Sequence, residues 1–531
     1  MKDNYITKAN SFISYLLLSV IVFSCSSRGK AQSDQDLLEE LDLIDYSYAG
    51  YDFGESELLA AYDLPVFKVE DFGAVANDDI SDQEAIEAAI RKAEAAKGGV
   101  VLFGIGRYII NDTKGKKEGL LIKSSHVVLK GAGSEENRTI LHMKEPLEPI
   151  DPRKLWTTPP MVVFKGKGNV GKVNAALAKD VKLGDNTIWF DTDHGLQKGD
   201  VLLINAQGTF LNDRLLAGKK TRELWSAINE KGGVIHEIHE VADVSGNKVT
   251  FRAPILVDMN KKEHWKFTKV DFITHCGFED IRFEGSFKES FVHHKNAYHD
   301  GGFTAVNMSK THNSWVKNCV FKDVNRAVSF SGSLAGTILN CRVEGNGGHT
   351  SFVSSRSTRV LMAYCSDNAN QWHGPDSSHE AVGTVILRFT GINRGIDAHG
   401  NVPRFTLWDE CKMAGFDGDS TGRASHGANY KNLPNHSVGL VFWNFTQTAL
   451  PRPDFNFWDL MEDTPTIKYG PLTAVNPVIV GFQGEGTSFV NAGPIKSPGQ
   501  AVEPSSLYLY QLRKRLGDTP FYLKEEINAI K

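Results

Sequence analysis

One cysteine position recurs at nearly constant spacing along the second half of the chain. Cys319 to Cys341 is 22 residues, and Cys341 to Cys365 is 24. Cys365 to Cys411 is 46, or twice 23. Ile281 takes the same place in an earlier strand, 38 residues before Cys319, so that unit needs a long turn. Short strands that repeat at this interval are typical of the coils of a parallel β-helix, and a small apolar side chain in one repeating position predicts an inward stack.

Metal ligation by these cysteines is the competing interpretation. Ligands spread over successive coils would form a line, whereas a structural zinc site needs a tetrahedron and usually a CxxC pair, which the sequence lacks. A disulfide framework is also disfavoured, because five cysteines follow Cys25 and five is an odd number. The length of 531 residues exceeds what one compact core usually holds, which agrees with an elongated repeat fold.

The region upstream of the repeats has the pattern of a cap. A strand and turn at 67–74 precede a helix at 81–93, whose Ile86, Ala89 and Ile90 share one face. The glycines at 98 and 99 end the helix, and the chain returns as a strand. Such a helix would cover the open end of a coil stack, whose exposed strand edges otherwise favour aggregation.

Further along, the rhythm of the coils is interrupted by segments that read as antiparallel strands with Gly-Asp and Gly-Asn turns. The sequence therefore predicts an all-β fold: a right-handed parallel β-helix with an N-terminal capping helix and a small inserted β domain. The predicted segments are a lipoprotein signal peptide at 1–25, a tether and N-terminal segment at 26–60, the cap and first coils at 61–170, the inserted β subdomain at 171–270, the coils with a groove at 271–450, and a C-terminal cap at 451–531 with a helix at 505–517.

The first 25 residues have the features of an export signal. Lys2 and Lys8 form a basic start, a short apolar run follows at 12–23, and the run ends at Ser24 and Cys25. This ending resembles the lipobox of bacterial lipoproteins, with Cys25 as the lipid-modified residue. An ordinary secretory signal with an incidental cysteine is the alternative. We expect an outer-membrane lipoprotein, on the cell surface or the periplasmic side, a monomer that touches the membrane only through its lipid.

The charge of the chain limits its partners. A formal net charge of −5 makes nucleic acid a poor candidate, since phosphate binding needs a basic surface. An acidic polysaccharide remains compatible, because a local cluster of cationic side chains matters more for such a ligand than the global sum.

Histidines are concentrated in the predicted coils, and several of them lie in glycine-bearing turns. In a coil stack, equivalent turns fall on one side and line a groove. A single histidine in a turn is more often a bystander than a catalyst, but a cluster that repeats over consecutive coils changes this balance. Ten of the 17 histidines lie in this stretch: His293, His294, His299, His312, His349, His373, His379, His399, His426 and His436. The cationic residues of the same stretch are Lys295, Lys310, Arg326, Arg356, Arg394 and Arg404.

Two reactions suit such a groove. Hydrolysis of a glycosidic bond needs two carboxyl groups at a defined separation. β-Elimination at a uronate instead needs a cation that neutralises the substrate carboxylate, a base that removes the C5 proton, and an acid for the departing oxygen. The acids of the stretch, Asp300, Asp376, Glu380 and Asp397, are mostly isolated in the sequence. This composition favours the lyase.

Two resemblances agree with this interpretation. The motif DFGA at 71–74, followed by an Ala-rich helix, resembles the pectate-lyase-like superfamily, whose shared property is the fold and not the reaction. A second set of motifs resembles Bacteroidetes β-helix proteins of polysaccharide-utilisation loci, a group that includes lyases of ulvan and of glycosaminoglycans. These motifs are FVHHK (291–295), DGG (300–302), NSWV (313–316), EGNGGH (344–349), LPNH (433–436) and VEPSSLY (502–508).

The second resemblance implies a polysaccharide lyase that acts on a uronate-containing polysaccharide, sulfated or not, with ulvan favoured and glycosaminoglycan next. Its matching positions implicate five residues as catalytic: Lys295, His349, His373, His399 and Arg404. Candidate substrate-binding residues are Arg356, His294, Trp372, His379 and Asn370.

The roles of these residues form a hypothesis. Arg404, together with Arg356 or Lys295, binds the uronate carboxylate. His349 or His373 takes the C5 proton. His399 or a nearby tyrosine assists the leaving group.

Some of these residues could instead have a purely structural role. Arg404 could instead form a turn salt bridge with Asp397 or Asp409. Trp372 and Trp408 could stack on sugar faces, although Trp408 lies close to a repeating cysteine and is equally consistent with the core.

The sequence predicts no metal site and no required cofactor. Calcium remains an option, since related lyases often use it to hold the carboxylate, but no Asp-rich loop of the usual kind is present. A β-helix glycoside hydrolase and a non-catalytic glycan-binding surface lipoprotein are the alternative functions.

Overall fold

The computed structural model describes residues 34–58, 64–391, 396–416, 429–458, 472–520 and 522–524. The predicted signal peptide, Cys25, Arg394 and His426 lie outside these residues. The chain divides into two compact units, 1–42 and 43–531. The first unit contains helix α1 (Asp34–Leu41). Within the described ranges, every helix is too short or too polar to cross a lipid bilayer.

Three parallel sheets, I, II and III, build the second unit, and each full coil contributes one short strand to each of them in turn. The strands of sheet I are Val66–Lys68, Gly99–Leu102, Val127–Lys130, Gly277–Glu279, Trp315–Lys317, Thr337–Leu339, Leu361–Ala363, Val385–Leu387, Leu407–Asp409, Val441–Trp443, Val478–Val480 and Ile495–Lys496. The strands of sheet II are Gly106–Ile110, Thr139–Met143, Arg282–Glu284, Val320–Lys322, Arg342–Glu344, Ser366–Asp367, Thr390–Gly391, Lys412–Met413 and Thr446–Gln447. The strands of sheet III are Leu120–Ile122, Val162–Lys165, Thr304–Ser309, Arg326–Ser331, Thr350–Ser355 and Asp376–Ser378.

The repeating cysteine position is a ladder inside the coils. The Arg342 N–H donates to the Cys319 carbonyl at 2.9 Å, and the Ser366 N–H donates to the Cys341 carbonyl at 3.0 Å. Phe389 occupies the equivalent position in the coil between Cys365 and Cys411. Its carbonyl oxygen accepts a hydrogen bond from a backbone N–H of the next coil. The five cysteines among the described residues are buried and form no disulfide bonds. The predicted fold, a right-handed parallel β-helix, is confirmed.

The capping helix is α2 (Gln83–Ala95). Its Ile86, Ala89, Ile90 and Ala93 are buried in the same apolar core as the inward side chains of the first coils. The spacing of these residues places them on one face of the helix, as the sequence predicted. The helix therefore covers the start of the stack, where an open end would expose backbone and apolar side chains.

The inserted β domain is a six-stranded antiparallel sheet with its own apolar core. Its strands in sheet order are Gly168–Val173, Lys266–Asp271, Val201–Gly208, Gly233–Ser245, Lys248–Phe251 and Thr187–Trp189. Helix α3 (Asn212–Leu216) and a π-helical turn at Ala227–Lys231 complete the insertion.

The remaining elements lie in the connections and at the C-terminus. Helix α4 (Ala297–Gly301) occupies the long turn that the 38-residue interval required. Helix α5 (Leu507–Leu516) follows the last strands of the stack. The short 3-10 helices are Tyr46–Tyr48, Tyr51–Gly54, Val69–Phe72, Leu155–Thr157, Thr209–Leu211 and Tyr430–Asn432. Two further parallel strand pairs are Ile273–Thr274 with Thr311–His312, and Phe455–Asn456 with Phe489–Val490.

Helix α5 lies along the outer side of sheet I. The Asp409 carboxylate in sheet I accepts hydrogen bonds from the Ser506 hydroxyl at 2.6 Å and from the Tyr508 N–H at 2.8 Å. The Tyr508 hydroxyl in turn donates to the Ala49 carbonyl at 2.8 Å. A carboxylate at a helix N-terminus satisfies N–H groups that have no partner within the helix. These contacts hold the C-terminal segment and the segment around residue 49 on the side of sheet I.

A buried ion pair joins the insertion to the coils. The Arg404 guanidinium lies 2.5 Å from the Glu237 carboxylate, and both side chains are buried. The Glu237 carboxylate also contacts His239 Nε2 at 2.8 Å and accepts from the Leu256 N–H at 2.6 Å. Burial alone would raise the pKa of Glu237, but His239 and Arg404 outweigh it and lower the pKa to about 2.

This pair corrects the role predicted for Arg404. Its guanidinium faces the insertion and is committed to Glu237, so Arg404 does not present its charge to a ligand. The salt bridge proposed as the alternative also has a different partner, because Glu237 takes the place of Asp397 or Asp409. This contact could not be predicted from local sequence, since the two residues are 167 positions apart.

We predict that Arg404→Met destabilises the fold by about 3–5 kcal/mol, because it leaves the Glu237 carboxylate buried without its cation. Urea unfolding followed by tryptophan fluorescence measures the loss. The double variant Arg404→Met/Glu237→Leu should recover most of the stability, since an apolar pair of similar volume removes the unpaired charge. A single variant within about 0.5 kcal/mol of the parent would contradict this account.

Candidate active site

A cleft of about 660 Å³ lies over sheet III. Its floor is made by outward side chains that the parallel register aligns from coil to coil. Asn307 pairs with Ser329, and Val353 pairs with Asp376. The turns on either side of these strands supply the walls. Residues that are more than 20 positions apart in the sequence are therefore neighbours in the cleft.

The predicted histidines of the turns come together at one end of this cleft. The rings of His349 and His373 are 5.3 Å apart, and those of His373 and His399 are 4.5 Å apart. His379 stacks on His399 at 6.4 Å. Backbone bridges from Thr350 to His373 and from Asp376 to Asp397 continue the register of sheet III into these turns.

A histidine and an aspartate form a dyad at the edge of the cleft. The Nδ1 atom of His294 lies 2.6 Å from Asp300 Oδ2, and the His294 N–H donates to Asp300 Oδ1 at 2.9 Å. The Asp300 side chain is buried, whereas the His294 side chain is 48% exposed and lines the cleft. Asp300 thus fixes the ring of His294 and leaves its Nε2 atom available for proton transfer.

The acids of the site are not isolated, which corrects the expectation from the sequence. His373 Nδ1 lies 2.9 Å from Asp397 Oδ2, and His399 Nδ1 lies 3.3 Å from Asp397 Oδ1. His399 Nδ1 is also 3.6 Å from Asp376 Oδ2. Asp376 and Asp397 occupy the same position of neighbouring coils, so two carboxylates and two imidazoles meet.

Burial and these contacts shift the pKa values of the two carboxylates and the two imidazoles in different directions. Burial and then the Asp397 charge raise the pKa of Asp376 above its usual range. Burial would also raise the pKa of Asp397, but His373 and His399 outweigh it and hold the pKa well below the usual range. Burial would lower the pKa of His399, but Asp397 outweighs it and raises the pKa to about 9. Burial lowers the pKa of His373.

The cleft contains a cation with no carboxylate partner among the described residues. Arg326 lines the cleft, and its Nε donates to the Asp300 carbonyl at 3.0 Å. Its Nη2 lies 3.1 Å from His349 Nδ1. Because no carboxylate of the described residues forms an ion pair with this guanidinium, its N–H groups are available to an anion in the cleft.

A second cavity of about 300 Å³ adjoins the cleft and shares Ser331 and Ser355 with it. Lys310, Arg356 and His236 line this cavity. Arg356 is paired with Glu380 at 3.0 Å, whereas Lys310 has no carboxylate partner in the described part of the chain. The cleft thus continues into a second cationic region.

The turn that carries these cations has the same backbone conformation in four coils. Lys310, Arg356 and His379 all have left-handed φ angles, of 54°, 50° and 47°, and Gly332 has a φ of 60° in the coil between the first two. A left-handed conformation costs about 1 kcal/mol for a residue other than glycine. Other repeating turns of the coils have the same conformation, for example at Asn318, Asn340 and Arg388, so these φ angles reflect the geometry of the coil turns.

Of the other residues predicted for the site, some line the cleft and some lie away from it. His379 lines the cleft. Trp372 stacks on His293 at 5.0 Å with an angle of 16° between the rings, so it supports the histidine cluster. Lys295 lies on the surface beside Glu289, at 2.9 Å. Asn370 lies in the turn before Trp372 and is not among the residues that line the cleft.

The sequence left two interpretations open for Trp408 and did not indicate Trp156 as a site residue. Trp408 is buried in the core, so the interpretation as a sugar-stacking residue is excluded. Trp156 is 70% exposed and lines the cleft. It lies in the 3-10 helix Leu155–Thr157, in a connection with no repeat pattern that could have identified it.

Two groups in the described residues bring three metal-ligand atoms within 4.8 Å of one another: His293, His349 and His373, and His373, Asp397 and His399. Both are rich in imidazole nitrogen. Calcium prefers oxygen ligands, so neither group has the composition of a calcium site.

Comparisons with known proteins agree with the fold. Residues 256–403 match the family model described as right-handed beta helix region. The chain contains a right-handed β-helix. Residues 370–526 match a domain of unknown function, DUF4955.

Two curated relatives match short segments of the chain. Mannuronan C5-epimerase AlgE3 of Azotobacter vinelandii is 39% identical over 75 residues, which is 14% of this chain and 4% of that protein. Alginate lyase 7 of the same organism is 39% identical over 70 residues, or 13% of this chain and 8% of that protein. The chain therefore spans less than a tenth of either relative.

Two solved structures are similar to this chain at low sequence identity. The tailspike gp49 from Pseudomonas phage LKA1 has a TM-score of 0.42 at 14% identity, with 81% of this chain and 78% of that chain covered. The A-module of mannuronan C-5 epimerase AlgE6 of Azotobacter vinelandii has a TM-score of 0.42 at 12% identity, with 82% and 95% covered.

Proposed function

We propose that this chain is a polysaccharide lyase that cleaves a uronate-containing polysaccharide by β-elimination, with ulvan favoured as substrate and glycosaminoglycan next. The observation that carries the proposal is the Arg326 guanidinium, which lacks a carboxylate partner in the described residues and lies in one cleft with the His294–Asp300 dyad. A cation that holds the substrate carboxylate and a base that removes the C5 proton are the two requirements of this reaction.

His294 is the best-placed base. Asp300 fixes one ring nitrogen through the 2.6 Å contact, and the exposed part of the ring lines the cleft. This arrangement of an oriented imidazole and a buried carboxylate is one that general bases use in unrelated enzymes. His399 and Asp376, which also line the cleft, are candidates for the protonation of the leaving oxygen.

Arg326 takes the role that the sequence assigned to Arg404. The continuation of the cleft past Lys310 and Arg356 suits a polymer with acidic groups on successive sugars. Trp156 at the rim offers an apolar face on which a sugar ring can stack. Together these groups support an extended acidic polysaccharide as the substrate.

A glycoside hydrolase remains the second candidate, and the Asp376–Asp397 pair is the observation that favours it. Hydrolysis needs two carboxyl groups that both reach the scissile bond or its water. Asp376 lines the cleft, but the Asp397 carboxylate is buried and held by His373 and His399. This burial makes the pair a poorer match for hydrolysis than the dyad is for elimination.

The curated relatives support the chemical class. C5 epimerisation of a uronate and its β-elimination both begin with removal of the proton from C5. Because both relatives are named for alginate or mannuronan, alginate is tested beside ulvan and glycosaminoglycans. The matched segments are short, so alginate is not favoured over the other two. Attachment to the outer membrane through Cys25 would place the enzyme where such polymers reach the cell, and a monomer suffices because one chain provides the whole cleft.

We predict that the purified chain, incubated with ulvan, chondroitin sulfate, heparan sulfate and alginate, releases products that absorb in the ultraviolet band of the C4–C5 double bond. New reducing ends without this absorbance would select the hydrolase. Binding without new chain ends would select a non-catalytic glycan-binding protein.

We predict that His294→Ala lowers kcat by about 10²–10⁴-fold with little change in KM, because the variant loses the proton acceptor and keeps the cationic contacts. Initial rates over a range of substrate concentrations separate the two parameters. His264→Ala, on the exposed surface of the insertion, is the matched control and should behave as the parent chain does. A His294→Ala variant with kcat within about twofold of the parent would remove His294 from the mechanism.

We predict that Trp156→Ala raises KM by up to about tenfold and leaves kcat nearly unchanged, because an aromatic stacking contact is worth about 0.5–1.5 kcal/mol. Trp156→Tyr retains an aromatic face and should stay close to the parent. The KM values of the variant are measured with a short oligosaccharide and with the polymer. A rise in KM with the polymer alone would show that Trp156 contacts a sugar outside the cleavage site. An alanine variant with unchanged KM on both would exclude Trp156 from substrate binding.

A further inference from the structure

Three imidazole rings, of which His349 lines the cleft, form a nearly equilateral triangle. The ring centroids of His293 and His349 are 5.3 Å apart, those of His349 and His373 are 5.3 Å apart, and those of His293 and His373 are 5.4 Å apart. One ligand atom from each ring lies within 4.8 Å of the others. The three residues come from the long turn and from two successive coils, so the stacking of the coils creates the triangle.

This spacing is that of a metal ion with three imidazole ligands. With zinc–nitrogen bonds of about 2.0–2.1 Å and tetrahedral angles, ring centroids are expected roughly 5 Å apart. Neutral histidine nitrogen is the ligand that zinc, copper, nickel and iron accept, whereas calcium and magnesium prefer oxygen. The composition and the spacing therefore select the same class of ion.

Two of the rings have an oxygen atom 2.9 Å from their other nitrogen. His349 Nδ1 lies 2.9 Å from the Asp300 carbonyl oxygen, and His373 Nδ1 lies 2.9 Å from Asp397 Oδ2. Metal-bound histidines almost always donate their second ring N–H to a carbonyl or a carboxylate, which fixes the tautomer and orients the ring. His293 is oriented by stacking on Trp372.

The second nitrogen of His373 is an independent sign of a ligand. The His373 side chain is 2% exposed, and its Nε2 atom is buried with no hydrogen-bond partner within the described ranges. A buried polar atom without a partner costs about 1–3 kcal/mol. Coordination to a metal ion would satisfy this nitrogen, and no side chain of the described residues does so.

We propose that His293, His349 and His373 form a binding site for a divalent transition-metal ion of the zinc class, with Asp397 and the Asp300 carbonyl as the groups that orient the ligands. Three protein ligands leave a fourth position, as in catalytic rather than structural zinc sites. His349 lines the cleft, so this position is open to an oxygen of a bound ligand. Only the further step, in which that oxygen belongs to a uronate carboxylate, rests on the proposed function.

The second histidine group, formed with Asp397 and His399, shares His373 but is the weaker match. His373 Nδ1 and His399 Nδ1 already contact the Asp397 carboxylate at 2.9 Å and 3.3 Å. An ion at that place would have to displace both contacts, whereas an ion in the triangle keeps them. The triangle is therefore the site.

The test uses the full-length protein with any affinity tag removed. The chain is freed of metal with a chelator, dialysed, and titrated with ZnCl₂ by calorimetry, and CoCl₂ is added in parallel to record visible absorption. We expect one zinc ion per chain and the strong visible bands of four-coordinate cobalt. His293→Ala should weaken zinc binding about a hundredfold or more. His379→Ala, which changes another histidine of the cleft outside the triangle, should bind as the parent does.

Because His373 and His349 are buried, folding of each variant is checked by circular dichroism, and His293 is the primary position since it is partly exposed. Absence of zinc binding by the parent chain would overturn the proposal. So would loss of binding in His399→Ala together with full binding in His293→Ala, since the ion would then lie in the second group. These titrations contain no polysaccharide, so a failed lyase assay leaves their result unaffected.

Discussion

The candidate site depends on one constraint, the in-register parallel pairing of short strands from successive coils. Each coil must place its backbone N–H groups opposite the carbonyls of its neighbour, as the Arg342 N–H does with the Cys319 carbonyl. Any side chain at a given position is then a few ångströms from the equivalent side chains above and below. Asp376 and Asp397, or His349 and His373, meet because of this pairing and not because of local sequence.

This arrangement concentrates polar groups that would be costly in an ordinary core. A buried carboxylate is tolerated when it is paired, and Asp397 is paired with two imidazoles while Asp300 is paired with His294. The left-handed turn of Lys310 and Arg356 adds backbone strain at the same place. The apolar ladder inside the coils and the docking of helix α5 on sheet I supply the rigid frame that holds these groups in position.

The fold could be predicted from the sequence better than the side-chain contacts between distant segments. The spacing from Cys319 to Cys365 reports the coil length directly, so it predicted the β-helix. The capping helix and the inserted sheet were predicted from separate patterns, the apolar face of the helix at 81–93 and the antiparallel strand pattern at 171–270. The partners of Arg404 and Asp397 could not, because the first depends on how the insertion docks and the second on the register of a turn. Trp156 carries no repeat signal, and only the fold brings it to the cleft.

The central claim is that the cleft over sheet III binds a uronate with its carboxylate at Arg326 and its C5 atom at His294. A crystal structure of the His294→Ala variant with a bound uronate oligosaccharide tests this claim most directly, because the variant should bind the sugar without consuming it. We expect a carboxylate paired with Arg326 and a C5 atom that faces the space left by the imidazole. An oligosaccharide bound on another face of the β-helix, or in the cleft with its carboxylates turned away from Arg326, would contradict it.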